Sequence, residues 1–181
     1  MVRTRVGYAG GTTADPTYHD LGSHSETIQI DYDPSQITYE ELLDRFWNSH
    51  SPTSRPWSNQ YASIIFYHDD EQKRLAEESR DRQAAGTDGQ VFTQIIPFSE
   101  FYLAETYHQK YRLQQAPDLQ EAFRTLYPDD GDFINSTAAA RFNGYMGGYG
   151  TLDALEAEIG DLDLSSETQK WLLELASALE R

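Results

Sequence analysis

A chain of 181 residues that is 38% hydrophobic and 13% aromatic has enough apolar side chain for a core of its own, which excludes a disordered polypeptide and a large multidomain machine. With 14 basic residues against 30 acidic ones the net charge is -16, so the counterion release that drives nucleic-acid binding has the wrong sign, and DNA, RNA and anionic membranes are disfavoured as partners. Cysteine is absent, which removes disulfides, zinc-thiolate sites, iron–sulfur clusters and any thiol nucleophile belonging to these residues.

The only lysines are Lys73, Lys110 and Lys170, and a diffuse acidic excess with few lysines resembles proteins that stay soluble in high salt, which points to a halophilic source. No run approaches 18 apolar residues, and Met1 to Val6 lacks the apolar core of a signal peptide, so a cytoplasmic protein is expected.

In chain order, Thr4 to Tyr8 reads as a strand closed by the turn residues Ala9-Gly10-Gly11, and Thr27 to Tyr32 as a second strand with Ile28, Ile30 and Tyr32 on one face. Thr38 with Glu41 three residues on forms a capping-box signature, and Leu42, Leu43, Phe46 and Trp47 supply the apolar stripe of the helix it opens. Ser63 to Tyr67 and Phe92 to Ile96 read as strands, with a charged, exposed helix between them capped by Asp69 or Asp70 and ended by Gly86. The aromatic stretch Phe101 to Gln115 has helical spacing, with Tyr107 and Tyr111 on one face and His108 beside them. A boundary falls at Ala116-Pro117, dividing the chain into 1–115 and 116–181. Beyond it helices are expected over Asp118 to Tyr127, Thr137 to Asn143 capped by Ser136, Thr151 to Ile159 and Ser166 to Leu179, with Leu152, Leu155, Ile159, Trp171, Leu172, Leu175 and Leu179 as the apolar repeat.

Several constellations carry chemistry. Gly7-Tyr8-Ala9-Gly10-Gly11 lacks the spacing of a phosphate loop; it is either a tight turn needing positive φ or a device aiming the Tyr8 hydroxyl into a cleft. His24-Ser25-Glu26 contains the HxE of zinc deaminases, whose thiolate ligands cannot exist here. Metal binding by His19, His24 and Glu26 is conceivable in geometry, but isolated histidines near turns usually serve as hydrogen-bonded structural residues, and no metal is expected. Glu26 opens a strand: on the inward face, with Ile28 and Ile30, desolvation would suit it to donate a proton, and on the outward face it is an ordinary strand-end carboxylate.

Taken in order, Val6-Gly7-Tyr8-Ala9-Gly10-Gly11, Asp15-Pro16-Thr17-Tyr18, Gly22-Ser23-His24-Ser25-Glu26, Tyr32-Asp33-Pro34, Ile37-Thr38-Tyr39-Glu40-Glu41-Leu42-Leu43, Phe46-Trp47, His50, Gln60-Tyr61 and Ala104-Glu105-Thr106-Tyr107-His108-Gln109-Lys110-Tyr111 resemble the A-type peptide methionine sulfoxide reductases over about residues 3 to 115. The resemblance implies a two-layer α/β fold of ferredoxin-like type, followed here by a helical extension, and reduction of methionine S-sulfoxide, free or in peptides, to methionine. It implies no bound cofactor, with thioredoxin or another dithiol as reductant. The position resembling the family's acid is Glu26, those resembling its oxygen-binding tyrosines are Tyr8 and Tyr61, and His108 and Tyr111 match its motif near the site as orienting residues. Two departures stand out. The family's Gly-Cys-Phe-Trp signature is not among these residues, which leads us to expect a fold lacking its first strand and helix. Either the start is misplaced or truncated, or the chain is a non-catalytic relative that binds sulfoxide or serves a structural role. Where the family has Gly-Asn-Asp-x-Gly-Thr, this chain has Ser54-Arg55-Pro56-Trp57-Ser58-Asn59.

Overall fold

A strand forms where β-branched and aromatic residues alternate, and the computed structural model, which describes residues 2–179, places β1 over Arg3–Ala9 and β2 over Ser25–Asp31. A third strand, β5 (Phe101–Leu103), pairs antiparallel with β1 in the register Gly7 with Leu103 and Ala9 with Phe101, giving a three-stranded sheet of order β2-β1-β5. The remaining strands, β3 (Ile64–Tyr67) and β4 (Gln94–Pro97), form a separate parallel pair in which Ile65 lies opposite Ile95. A parallel pair needs a crossover, and α2 (Asp70–Ala85) supplies it. The result is a mixed α/β fold whose strands lie in two small sheets.

The expected helix caps are present. Thr38 and Glu41 close a reciprocal capping box on α1 (Tyr39–Asn48), with the Thr38 amide donating to Glu41 Oε2 at 2.8 Å. On α2, Asp69 accepts from the Gln72 amide and Gly86 ends the helix. The two helices meet where the indole Nε1 of Trp47 donates to Ser79 Oγ at 2.9 Å inside the core, and Leu43, Trp47, Ile65 and Ala76 pack together there. A buried indole N–H without that acceptor would cost about 1–3 kcal/mol.

Phe101 to Gln115 departs from expectation. In place of one helix it forms β5, a 3-10 turn over Thr106–His108 and the single helical turn α3 (Tyr111–Gln114). Pairing with β1 captures its first three residues, and Lys110, in the left-handed region at φ 49, breaks the helical path between Tyr107 and Tyr111.

Two compact units make up the described residues: Val6–Ala104, and the residues before Val6 together with those from Glu105 onward. The division therefore falls ahead of the Ala116-Pro117 step. Leu113 is wholly buried in the helical core, and Lys110 donates from Nζ to Thr4 O, to Thr4 Oγ1 at 3.3 Å and to Ile134 O at 3.0 Å. That core holds α4 (Pro117–Leu126), α5 (Asp130–Asn135), α6 (Thr137–Met146), α7 (Leu152–Glu158) and α8 (Ser166–Leu179) around Leu119, Phe123, Phe133, Phe142, Leu155 and Leu172. Pro117 opens α4, and Ser136 caps α6 as expected; α5, capped by Asp129, was not foreseen. The side chain of Leu179 lies outside the described residues.

Burial, then the charge of Arg5, lowers the Lys110 pKa to about 8. An unfolded lysine titrates near 10.4, so between about pH 8 and 10.4 the unfolded chain binds more protons and the native state gains stability as pH rises. Urea midpoints across that range are expected to show this gain in the parent and not in Lys110→Met, the difference reaching up to roughly 3 kcal/mol. A difference that stays constant with pH would remove this role.

Candidate active site

The turn after β1 is where glycine is needed. Gly10 takes φ +81, and a Cβ on Gly11 would stand 2.5 Å from the His24 ring and from its backbone nitrogen. His24, 2% exposed, sits there because both ring nitrogens serve the backbone: Nδ1 lies 3.1 Å from the Gly11 amide and Nε2 2.8 Å from Thr13 O. An amide can only donate and a carbonyl only accept, so His24 is the neutral tautomer protonated at Nε2. Neither nitrogen is left for a metal. Among the described residues no group of three or more His, Asp or Glu side chains is placed to hold one. The clip, with the Thr12 amide donating to Ser23 Oγ at 3.1 Å, fixes the loop that carries Tyr18.

The fixed loop leads into Glu26 and meets Tyr61. Ser25 Oγ donates to Asn59 O at 2.5 Å, tying the 3-10 turn Asn59–Tyr61 to the start of β2. Across that tie the Gln60 amide nitrogen donates to Glu26 Oε1 at 2.7 Å and lies 3.2 Å from the Tyr61 hydroxyl. With Glu26 Oε1 accepting there, it is the nitrogen of the Gln60 amide that faces the carboxyl. Tyr61 also shares a hydrogen bond with Tyr18, and burial, then the negative charge of Glu26, raises its pKa. It therefore keeps its proton well past neutral pH and can act as a hydrogen-bond donor. Glu26 is exposed, as is Ile28 at 57%: the two share a face of β2, and it is the outward one.

Tyr8 is 2% exposed and packs with Leu21 and Ala104 in the small core against which Tyr18 leans. Tyr18 thus leans on the cluster that holds Tyr8 and hydrogen-bonds Tyr61, which Gln60 links to Glu26. Tyr18 and Gln60 each stand in a motif quoted above, but only the fold shows that Gln60 bridges Glu26 and Tyr61 and that Tyr18 shares a hydrogen bond with Tyr61. His108 and Tyr111 belong to the other unit. His108 Nε2 lies 4.0 Å from Glu105 Oε2 and its ring 4.2 Å from that of Tyr107, while Tyr111 opens α3 and is half-exposed.

Residues 1–140 match the family model described as peptide methionine sulfoxide reductase. The chain belongs to that family. Residues 129–174 match a second model, the helical domain of selenoprotein methionine sulfoxide reductase A. The chain is 41% identical over 173 residues to the peptide methionine sulfoxide reductase of Drosophila melanogaster, covering 94% of this chain and 69% of that one. To the peptide methionine sulfoxide reductase A5 of Oryza sativa subsp. japonica it is 41% identical over 151 residues, covering 80% of this chain and 59% of the relative. Among solved structures, methionine sulfoxide reductase A of Corynebacterium diphtheriae is similar at TM-score 0.55 and 33% identity over 64% of each chain. The chain thus spans 59% to 69% of the length of these relatives. No helix among the described residues is long and apolar enough to cross a membrane.

Proposed function

We propose that this chain supplies the oxygen-handling side of methionine S-sulfoxide reduction, on free or peptide-bound substrate. The observation that carries the proposal is the linked group Glu26, Gln60, Tyr61 and Tyr18, which sets a carboxyl beside a protonated phenol. Tyr61, 44% exposed, would donate to the sulfoxide oxygen, with Tyr8 as the second hydroxyl behind it, and Glu26 would deliver the proton as charge develops on that oxygen. The same resemblance assigns His108 and Tyr111 an orienting role.

The chemistry balances only with a thiol. A thiolate forms a bond to the sulfoxide sulfur as the oxygen takes two protons and leaves as water; a water then attacks the thiol sulfur, the new sulfur–sulfur bond breaks with its electron pair going to methionine, a proton is released, and the thiol is left oxidised to a sulfenic acid. A dithiol such as thioredoxin then returns the sulfenic acid to thiol, forming water and its own disulfide. These residues contain no cysteine, so the nucleophile must come from outside them. The same zero is also consistent with a second reading, a non-catalytic relative that binds sulfoxide.

The chain alone should give no methionine from methionine S-sulfoxide with dithiothreitol, measured by product chromatography, because none of its groups can form the sulfenic intermediate. Joined to a Gly-Cys-Phe-Trp segment it should turn over the S epimer and not the R. A joined protein inactive on both epimers would leave the binding reading, and turnover by the cysteine-free chain would overturn the mechanism.

A further inference from the structure

We propose that Trp57 is a platform at the rim of this site for an apolar side chain flanking the methionine sulfoxide in a polypeptide substrate. The proposal rests on the sulfoxide reading above. Tryptophan offers more apolar surface than any other residue and is usually well buried, yet Trp57 is 82% exposed. Its indole leans on the Tyr61 ring, centroids 4.9 Å apart and planes 32° from parallel. Tyr61 is in turn joined to Gln60 and Glu26, so the indole borders the oxygen-handling group directly.

The backbone under Trp57 is pinned on both sides. Before it, Pro56 fixes its own φ, and the Phe92 amide donates to Pro52 O at 2.9 Å, with the Arg55 guanidinium 6.0 Å above the Phe92 ring. After it, Ser25 holds the turn at Asn59. A side chain left this open on an anchored loop is preorganised for a ligand. Consecutive residues of a peptide are about 3.8 Å apart, so once the sulfoxide oxygen reaches Tyr61 and Glu26 a flanking side chain falls within reach of the neighbouring indole. Aromatic rings take such groups edge-on or offset, without regard to charge, whereas the net charge of -16 disfavours acidic flanks.

The test is calorimetric titration of the 181-residue chain with neutral capped peptides carrying methionine S-sulfoxide between two phenylalanines or two glycines, and with the corresponding sulfides. The parent is expected to bind the phenylalanine-flanked sulfoxide about fivefold more tightly than the glycine-flanked one. Trp57→Ala should erase that preference and Trp57→Phe keep most of it. Indole emission should shift to the blue on peptide binding in the parent and not in Trp57→Ala. A preference absent from the parent, or unchanged in Trp57→Ala, overturns the platform while leaving discrimination between sulfoxide and sulfide intact. Equal binding of sulfoxide and sulfide overturns instead the reading on which the platform rests, and the platform with it.

Discussion

Glu26→Gln, in a chain joined to a Gly-Cys-Phe-Trp segment, is expected to slow single-turnover reduction of methionine S-sulfoxide by about 10²- to 10⁴-fold, the range that general acid catalysis contributes. The substitution is close to isosteric and keeps an oxygen to accept from the Gln60 amide, so the tie across the turn survives. What is lost is a proton that can be given up. Tyr61→Phe removes one of the two hydroxyls proposed to donate to the sulfoxide oxygen and should cost less on its own, and Tyr8→Phe combined with Tyr61→Phe should cost more than either. Measured across pH, the Glu26→Gln enzyme should also lose the acidic control of its rate. An unchanged rate with an unchanged pH profile would reduce Glu26 to a strand-end carboxylate and send the search for the acid elsewhere.

The largest effect on stability is expected in the helical unit. Phe142 on α6 is wholly buried, its ring 5.2 Å from that of Phe123 on α4. Truncation removes the transfer energy of a phenyl group and leaves a cavity that close-packed neighbours fill only in part, so Phe142→Ala should destabilise by about 3–5 kcal/mol. Set against a total stability of about 5–15 kcal/mol, that is enough to unfold a substantial fraction of the chain at moderate denaturant. Trp171→Ala, at a half-exposed position on α8, is the control and should cost under about 1 kcal/mol. Denaturation followed by helical circular dichroism separates the two, and equal midpoints would show that the Phe123–Phe142 contact does not organise this core.

How far the sequence could be read depended on how local each signal was. The caps of α1 and α2 are settled within four residues of chain, and there the text of the sequence and the structure agree. β5 could not be read in that way: aromatic spacing across Phe101 to Gln115 suggests a helix, and what overrides it is pairing of Leu103 with Gly7, almost the whole first unit away. The five strands among the described residues and α5 were likewise beyond periodicity. Around the candidate site, Glu26, Tyr8 and Tyr61 stand in ordered motifs, but alternation on β2 places Ile28 with Glu26 without saying which face is covered. Trp57 carried no signal except its departure from the family pattern, since exposure and a ring neighbour four residues on are properties of a folded loop.

The way the two units share the chain also sets an order of assembly. The unit from Val6 to Ala104 is continuous, so all its partners exist once its last strand has been made. The other waits: Arg5 Nε meets Asn135 Oδ1 at 2.8 Å across 130 residues, and Lys110 reaches back 106 residues to Thr4. Closing loops of that length slows folding more than it lowers stability. The bond from Arg5 to Asn135 therefore cannot form until the segment through Asn135 has been made, well after the continuous unit has all of its strands.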